Sequence, residues 1–206
     1  MIHSIIEHPI RVVGIFAAFI VLSGCGDIGG AGQCFGVENT GTCLTINSIE
    51  PTTDGGPTSD VDAHFSTDCN GDGIDDDPEA GFSHTANITF SNSLLPGVTS
   101  PPAPQFVTLT NYSVVYVPNP NNLGSAPDLD GWTFSANNLL LDVGSNFTGE
   151  FEMVPIQTKL QYATLGGDTL PQFYTAVYSF TGTSQFNEDI VLQGTVSFAM
   201  GDFNNC

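Results

Sequence analysis

The chain is almost without positive charge: its 206 residues hold two Lys and Arg together against 22 Asp and Glu, a formal net charge of −20. Phosphate recognition needs clustered Lys and Arg, so nucleic-acid binding is excluded. Polybasic attachment to anionic lipid is excluded for the same reason. Long hydrophobic runs are also lacking. The one unbroken stretch, Val12 to Leu22, spans about 16 Å as a helix, too short for a hydrocarbon core of about 30 Å. Cys-x-x-Cys, Gly-x-Ser-x-Gly, His-Glu-x-x-His and a phosphate-cradling glycine loop are all missing, so no redox, hydrolase, zinc-protease or nucleotide motif can be read from spacing. No window carries a clear 3.6-residue apolar stripe, and no amphipathic helix is predicted. With 40% hydrophobic and 10% aromatic residues, the chain is too apolar for wholesale disorder and long enough for one core.

The Val12–Leu22 run has the length of a secretory signal rather than an anchor. It ends in Leu22-Ser23-Gly24-Cys25. This resembles the lipobox of bacterial lipoproteins, over residues 1–25. The resemblance implies that residues 1–24 are removed and that Cys25 is lipidated and becomes the first residue. Several acyl chains hold a membrane far better than one, each buried CH₂ contributing about 0.8 kcal/mol. Gly26 rather than Asp follows Cys25, so the expected location is the outer membrane or cell surface. Loss of Glu7 and Arg11 with the signal leaves Lys159 as the sole remaining Lys or Arg.

Four other cysteines, Cys34, Cys43, Cys69 and Cys206, read as two disulfides in an exported chain, with three possible connectivities. Spacing favours Cys34–Cys43 and Cys69–Cys206, worth about 2.5 and about 5 kcal/mol on the chain-entropy model.

Residues 25–33 form a Gly-rich tether. Residues 34–81 are a Cys-containing segment, in which 44–49 alternate like a strand and 51–60 (PTTDGGPTSD) read as loop. From 82 to 206, period-2 runs recur between turn signals. Examples are Ala86-Ile88-Phe90, Phe106 to Val117, Trp132-Phe134 continuing past Asn137-Asn138 to Leu141, Tyr174 to Phe180, and Ile190 to Met200. Such alternation puts one side of each strand in a core. The predicted fold is all-β: an antiparallel β-sandwich, immunoglobulin-like in the loose sense, with a jelly roll or open barrel as the alternative.

The sharpest chemical signal is Asp68 to Glu79 (DCNGDGIDDDPE). Side-chain oxygens fall at loop positions 1, 3 and 5 (Asp68, Asn70, Asp72), with Gly73 at the turn. A carbonyl follows at Ile74, and carboxylates at Asp76 and Glu79. This ligand order is similar to that of EF-hand-type calcium loops, and closer to dockerin and thrombospondin type III loops than to a helix–loop–helix unit. The resemblance implies a structural Ca²⁺ held by Asp68, Asn70, Asp72, Ile74, Asp76 and Glu79. Six carboxylates within twelve positions repel one another unless a cation intervenes.

Weaker signals remain. His64 and His84 flank the acidic loop, where a surface or turn position is expected ahead of a metal-binding or acid–base role. Asn137-Asn138, Trp132 and Tyr116 are candidates for a sugar platform, although aromatics in a sandwich more often belong to the core. No catalytic residue is assigned. The expected function is that of a non-enzymatic, lipid-anchored, calcium-stabilised envelope protein, with an envelope protein or glycan as partner. A hydrolase or carbohydrate-active protein on the same scaffold is the alternative. Paired carboxylates in a groove would favour it.

Overall fold

The computed structural model describes residues 35–36, 42–53, 56–57, 60–63, 66–67, 77–78, 83–95, 105–166 and 171–201. In chain order these form β1 (Phe35–Gly36), β2 (Thr42–Thr53), β3 (Gly56–Pro57), β4 (Asp60–Asp62), β5 (Ser66–Thr67), β6 (Asp77–Pro78), β7 (His84–Leu94), β8 (Phe106–Pro118), β9 (Trp132–Asp142), β10 (Asn146–Val154), α1 (Ile156–Thr164), β11 (Gln172–Ser184) and β12 (Asp189–Gly201).

Alternation does what the sequence predicts. β7 reads buried at His84, Ala86, Ile88, Phe90 and Asn92, and β11 at every second residue from Gln172 to Ser184. Such strands must cover one face, and they do so in two sheets. Sheet A runs β1-β2-β7-β10, with β3 on β2; sheet B runs β4-β12-β11-β8-β9. Pairing is antiparallel except for β4, which lies parallel to β12. The two faces enclose one core, and the fold is an all-β sandwich with a curled second sheet. At its centre Phe90 and Phe151 of sheet A meet Tyr112 and Phe180 of sheet B, with the Phe90–Phe180 rings edge-on at 5.0 Å.

Breaks in the period are bulges. Asn47 is skipped in the β2–β7 register, so Ile46 and Ile49 both face inward. Thr110 faces the kinked segment 136–138 of β9, and Leu109 and Tyr112 both point into the core. Gly194 of β12 leaves room for the same isoleucines: a Cβ there would sit 2.7 Å from Ile49 Cδ1 and 3.0 Å from Ile46 Cδ1.

Three expectations need correction. Residues 51–53, 56–57 and 60 are strand rather than loop, because they extend or flank the two sheets. The sandwich takes in strands ahead of residue 82, since β1 and β2 belong to sheet A and β2 supplies Leu44, Ile46 and Ile49 to the shared core. A helix, α1, follows Pro155. Its buried residues are Thr158, Lys159 and Tyr162, whereas Leu160 is exposed, so it carries no apolar stripe. Proline suits the helix start, where an N–H partner is not needed. Gly166 at φ 75° follows its last turn.

Candidate functional site

β9 and β10 are consecutive and joined by only three residues, yet they belong to different sheets. The corner is pinned where Val143 N–H donates to Gln105 O (3.0 Å) and Asn92 N–H to Ser145 O (3.1 Å). Beyond it the strands part, with β9 at the edge of sheet B and β10 at the edge of sheet A. The seam holds a cleft of about 260 Å³ lined by Thr85, Tyr112, Ser135, Ala136, Asn137, Glu150, Phe151 and Glu152.

One wall is the β9 kink. Asn137 and Asn138 both have φ 54°, the left-handed region that non-glycine residues rarely enter. The Asn137 N–H donates to Ser135 Oγ at 3.1 Å. Strained backbone of this kind tends to gather at functional sites. The other wall is acidic. Thr85 Oγ1 donates to Glu150 Oε1 at 2.6 Å and shares a 2.7 Å bond with Thr52 Oγ1, so Thr52 donates to Thr85 and the relay fixes Glu150. Glu152 is held by its backbone, whose N–H donates to Tyr112 Oη at 2.9 Å and whose carbonyl accepts from Tyr178 Oη at 3.3 Å. Its Oε2 is buried without a hydrogen-bond partner. Burial pushes the Glu152 carboxyl above the usual range; a hydrogen bond with Ser83 opposes this and the Glu150 charge adds to it. The Tyr112 hydroxyl is pushed up to about 12, chiefly by burial, and stays protonated at neutral pH.

The residues singled out from sequence fall elsewhere or apart. Tyr116 is core, donating its hydroxyl to Met153 O at 2.7 Å, and Trp132 Nε1 donates to Thr158 Oγ1 at 2.7 Å. Asn137 alone of the proposed platform lines the cleft. His84 is buried in β7 rather than on the surface or in a turn, because it opens an inward-facing row. Cys25, Cys34, Cys69, Cys206, His64 and the loop residues Asp68, Asn70, Asp72, Ile74, Asp76 and Glu79 lie outside the described residues. Cys43 is disulfide-bonded, its partner also lying outside them. β5 and β6 pair antiparallel on either side of residues 68–76. Among the described residues no group of three or more His, Cys, Asp and Glu is placed to hold a metal, and no helix is long and apolar enough to cross a membrane.

Sequence reading missed Glu150, Glu152 and Tyr112 as cleft residues. The available signal was acids alternating with Phe151 and Met153 on the strand after the Asn137-Asn138 break. No protein-family model matches the chain, and no match is found among curated proteins or solved structures.

Proposed function

We propose that this is a lipid-anchored bacterial envelope protein, held through Cys25 at the outer membrane or cell surface, whose sandwich binds a small polar ligand of glycan type without turning it over. The seam cleft carries this reading. It is concave, and Ser135, Asn137, Glu150 and Glu152 supply donors and acceptors beside the Tyr112 and Phe151 rings. Its acids and the net charge of −20 disfavour anionic ligands. A structural Ca²⁺ on Asp68, Asn70, Asp72, Ile74, Asp76 and Glu79 belongs to the same proposal, as do the Cys34–Cys43 and Cys69–Cys206 bridges. The β5–β6 ladder, which flanks the loop, supports the Ca²⁺ reading, and the β1–β2 pairing, which sets Gly36 opposite Cys43, supports the Cys34–Cys43 bridge.

The carboxylate pair favours a second reading, a glycoside hydrolase. Two strand residues apart, Glu150 and Glu152 are about 7 Å apart along β10, within the range such enzymes use. They nevertheless project from one wall, and Ser135, Ala136 and Asn137 opposite bring no acid or base. A glycosidase sets its carboxyls on either side of the scissile bond.

The test pairs binding with turnover. Neutral and amino sugars are titrated by ligand-detected NMR, alongside hydrolysis of chromogenic glycosides. Binding that weakens in Asn137→Ala and Glu150→Gln, without product, is the expected result. Product formation selects the hydrolase, and no binding by any sugar rejects the glycan reading. Membrane fractionation of Cys25→Ala tests the anchor separately: release from the membrane is expected, and full retention overturns it.

A further inference from the structure

Lys159, the sole Lys or Arg left once the signal is removed, is not a surface residue. It is 2% exposed, on the inner side of α1 with Thr158 and Tyr162. Three observations place it. Tyr162, three residues on and on the same helix face, donates its hydroxyl to Met200 O at 3.1 Å. Met200 and Gly201 are the β12 residues that pair with Val61 and Asp62 of β4. His84, opposite Val154 just before α1, hydrogen-bonds the Asp60 backbone. Lys159, Asp62 and His84 therefore converge at one end of the sandwich, with Asp62 6% and His84 2% exposed. The charges of Lys159 and Asp62 both bear on the imidazole.

We infer that this cluster is a modification site, where the Lys159 side-chain nitrogen and the Asp62 side-chain carboxyl condense into an amide that ties α1 covalently to β4. Burial supplies the conditions. Asp62 and Lys159 are both buried, which keeps water away from the pair. Passing one proton from Lys159 to Asp62 gives a neutral amine and a neutral acid, the reactive forms. The Nζ lone pair then attacks Asp62 Cγ, forming the C–N bond. The nitrogen gives up a proton to the neutral His84 ring, and His84 returns it to the departing hydroxyl. The Cγ–O bond breaks, one water leaves, and His84 ends as it began. No oxidant or cofactor is required, and exclusion of water from the site favours condensation over hydrolysis.

The near-absence of cations makes the test direct. Trypsin has two sites in the whole chain, Arg11 and Lys159, and it does not cut at a lysine whose side chain is an amide. Protein purified from the producing cell is reduced, denatured, treated with trypsin and weighed intact by mass spectrometry. The expected result is no cleavage after Lys159, a mass one water below that of the same chain uncondensed, and a fragment spectrum joining Lys159 to Asp62. Asp62→Ala is expected to restore both cleavage and mass; because the assay uses denatured protein, a folding defect in the variant does not obscure it. Cleavage at Lys159 in wild type with the full mass overturns the inference and leaves a buried ion pair. Resistance without loss of one water, or persisting in Asp62→Ala, overturns it as well.

Discussion

Tyr112 Oη accepts the backbone N–H of Glu152 at 2.9 Å, joining the floor of the seam on sheet B to the acidic edge strand of sheet A. Across the seam β9 and β10 share no strand pairing, so this bond does work that a ladder would otherwise do. Tyr112→Phe keeps the ring contacts with Phe134 and Phe180 and removes only this acceptor. A partly buried N–H left without a partner costs about 1–3 kcal/mol. The expected outcome is a fall in Tm of several degrees, with weaker ligand binding in the cleft because Glu152 is less firmly placed. Differential scanning calorimetry beside sugar titration measures both.

The β9 kink yields a prediction that separates stability from binding. Asn137 and Asn138 sit at φ 54°, where glycine suffers no steric cost and β-branched residues suffer most. Asn137→Gly and Asn138→Gly are expected to change stability by less than about 1 kcal/mol, and Asn138→Val to destabilise by about 1–2 kcal/mol. Asn137→Gly is nonetheless expected to weaken ligand binding, since it removes the amide from the cleft. Urea denaturation curves separate the backbone effect from the binding effect.

The strands were legible because burial on one face imprints a two-residue period, seen at Ala86-Ile88-Phe90 and from Tyr174 to Phe180. Asn137-Asn138 was legible as a break inside a run. The helix was not, because its inward residues are Thr158, Lys159 and Tyr162 and its half-exposed one is Leu160. The cleft was illegible for a topological reason. Nothing in the runs before and after Val143-Gly144-Ser145 says that the chain changes sheets there, and the cleft exists only because it does. Asp62, His84 and Lys159 are far apart in sequence, and each alone reads as an ordinary polar residue. Their meeting depends on the parallel pairing of β4 with β12.

Gly182 marks a second irregularity, where the β11–β8 register shifts between Thr181 and Gly182. A Cβ there would overlap the Thr108 carbonyl oxygen and lie 2.8 Å from Leu109 Cα. Both are backbone atoms and cannot rotate away. Gly182→Ala is therefore expected to force the strands apart and destabilise by about 2–3 kcal/mol. The same change at exposed Thr181 is expected to stay within about 0.5 kcal/mol. Paired urea denaturations of the two variants give the comparison.

The last prediction concerns acid. Burial, the largest cause, together with the Lys159 charge lowers the His84 pKa from 6.5 to about 4, against smaller upward pulls from the Asp62 charge and the Asp60 backbone; the two charges act in the uncondensed chain, whereas burial acts with or without the Lys159–Asp62 amide. Above about pH 6.5 the ring is neutral in both folded and unfolded chains and contributes no pH dependence. As pH falls from there toward 4, the unfolded chain takes up a proton that the folded chain refuses, so stability falls. The limiting slope is about 1.4 kcal/mol per pH unit, and the loss across the window is about 2 kcal/mol after allowance for residual solvent screening. Glu152 acts in the other direction: its raised pKa means that the folded chain binds a proton before the unfolded one, adding stability as pH falls through that value. Subtracting a variant isolates the histidine. His84→Gln keeps a polar side chain and cannot titrate, so its stability gap from wild type is expected to narrow between pH 7 and pH 4.5 as wild type alone loses the histidine contribution. Urea denaturation of both proteins at pH 7, 6, 5 and 4.5 measures that gap. A gap that stays constant across the series means that His84 titrates alike in both states and is not held neutral by its surroundings.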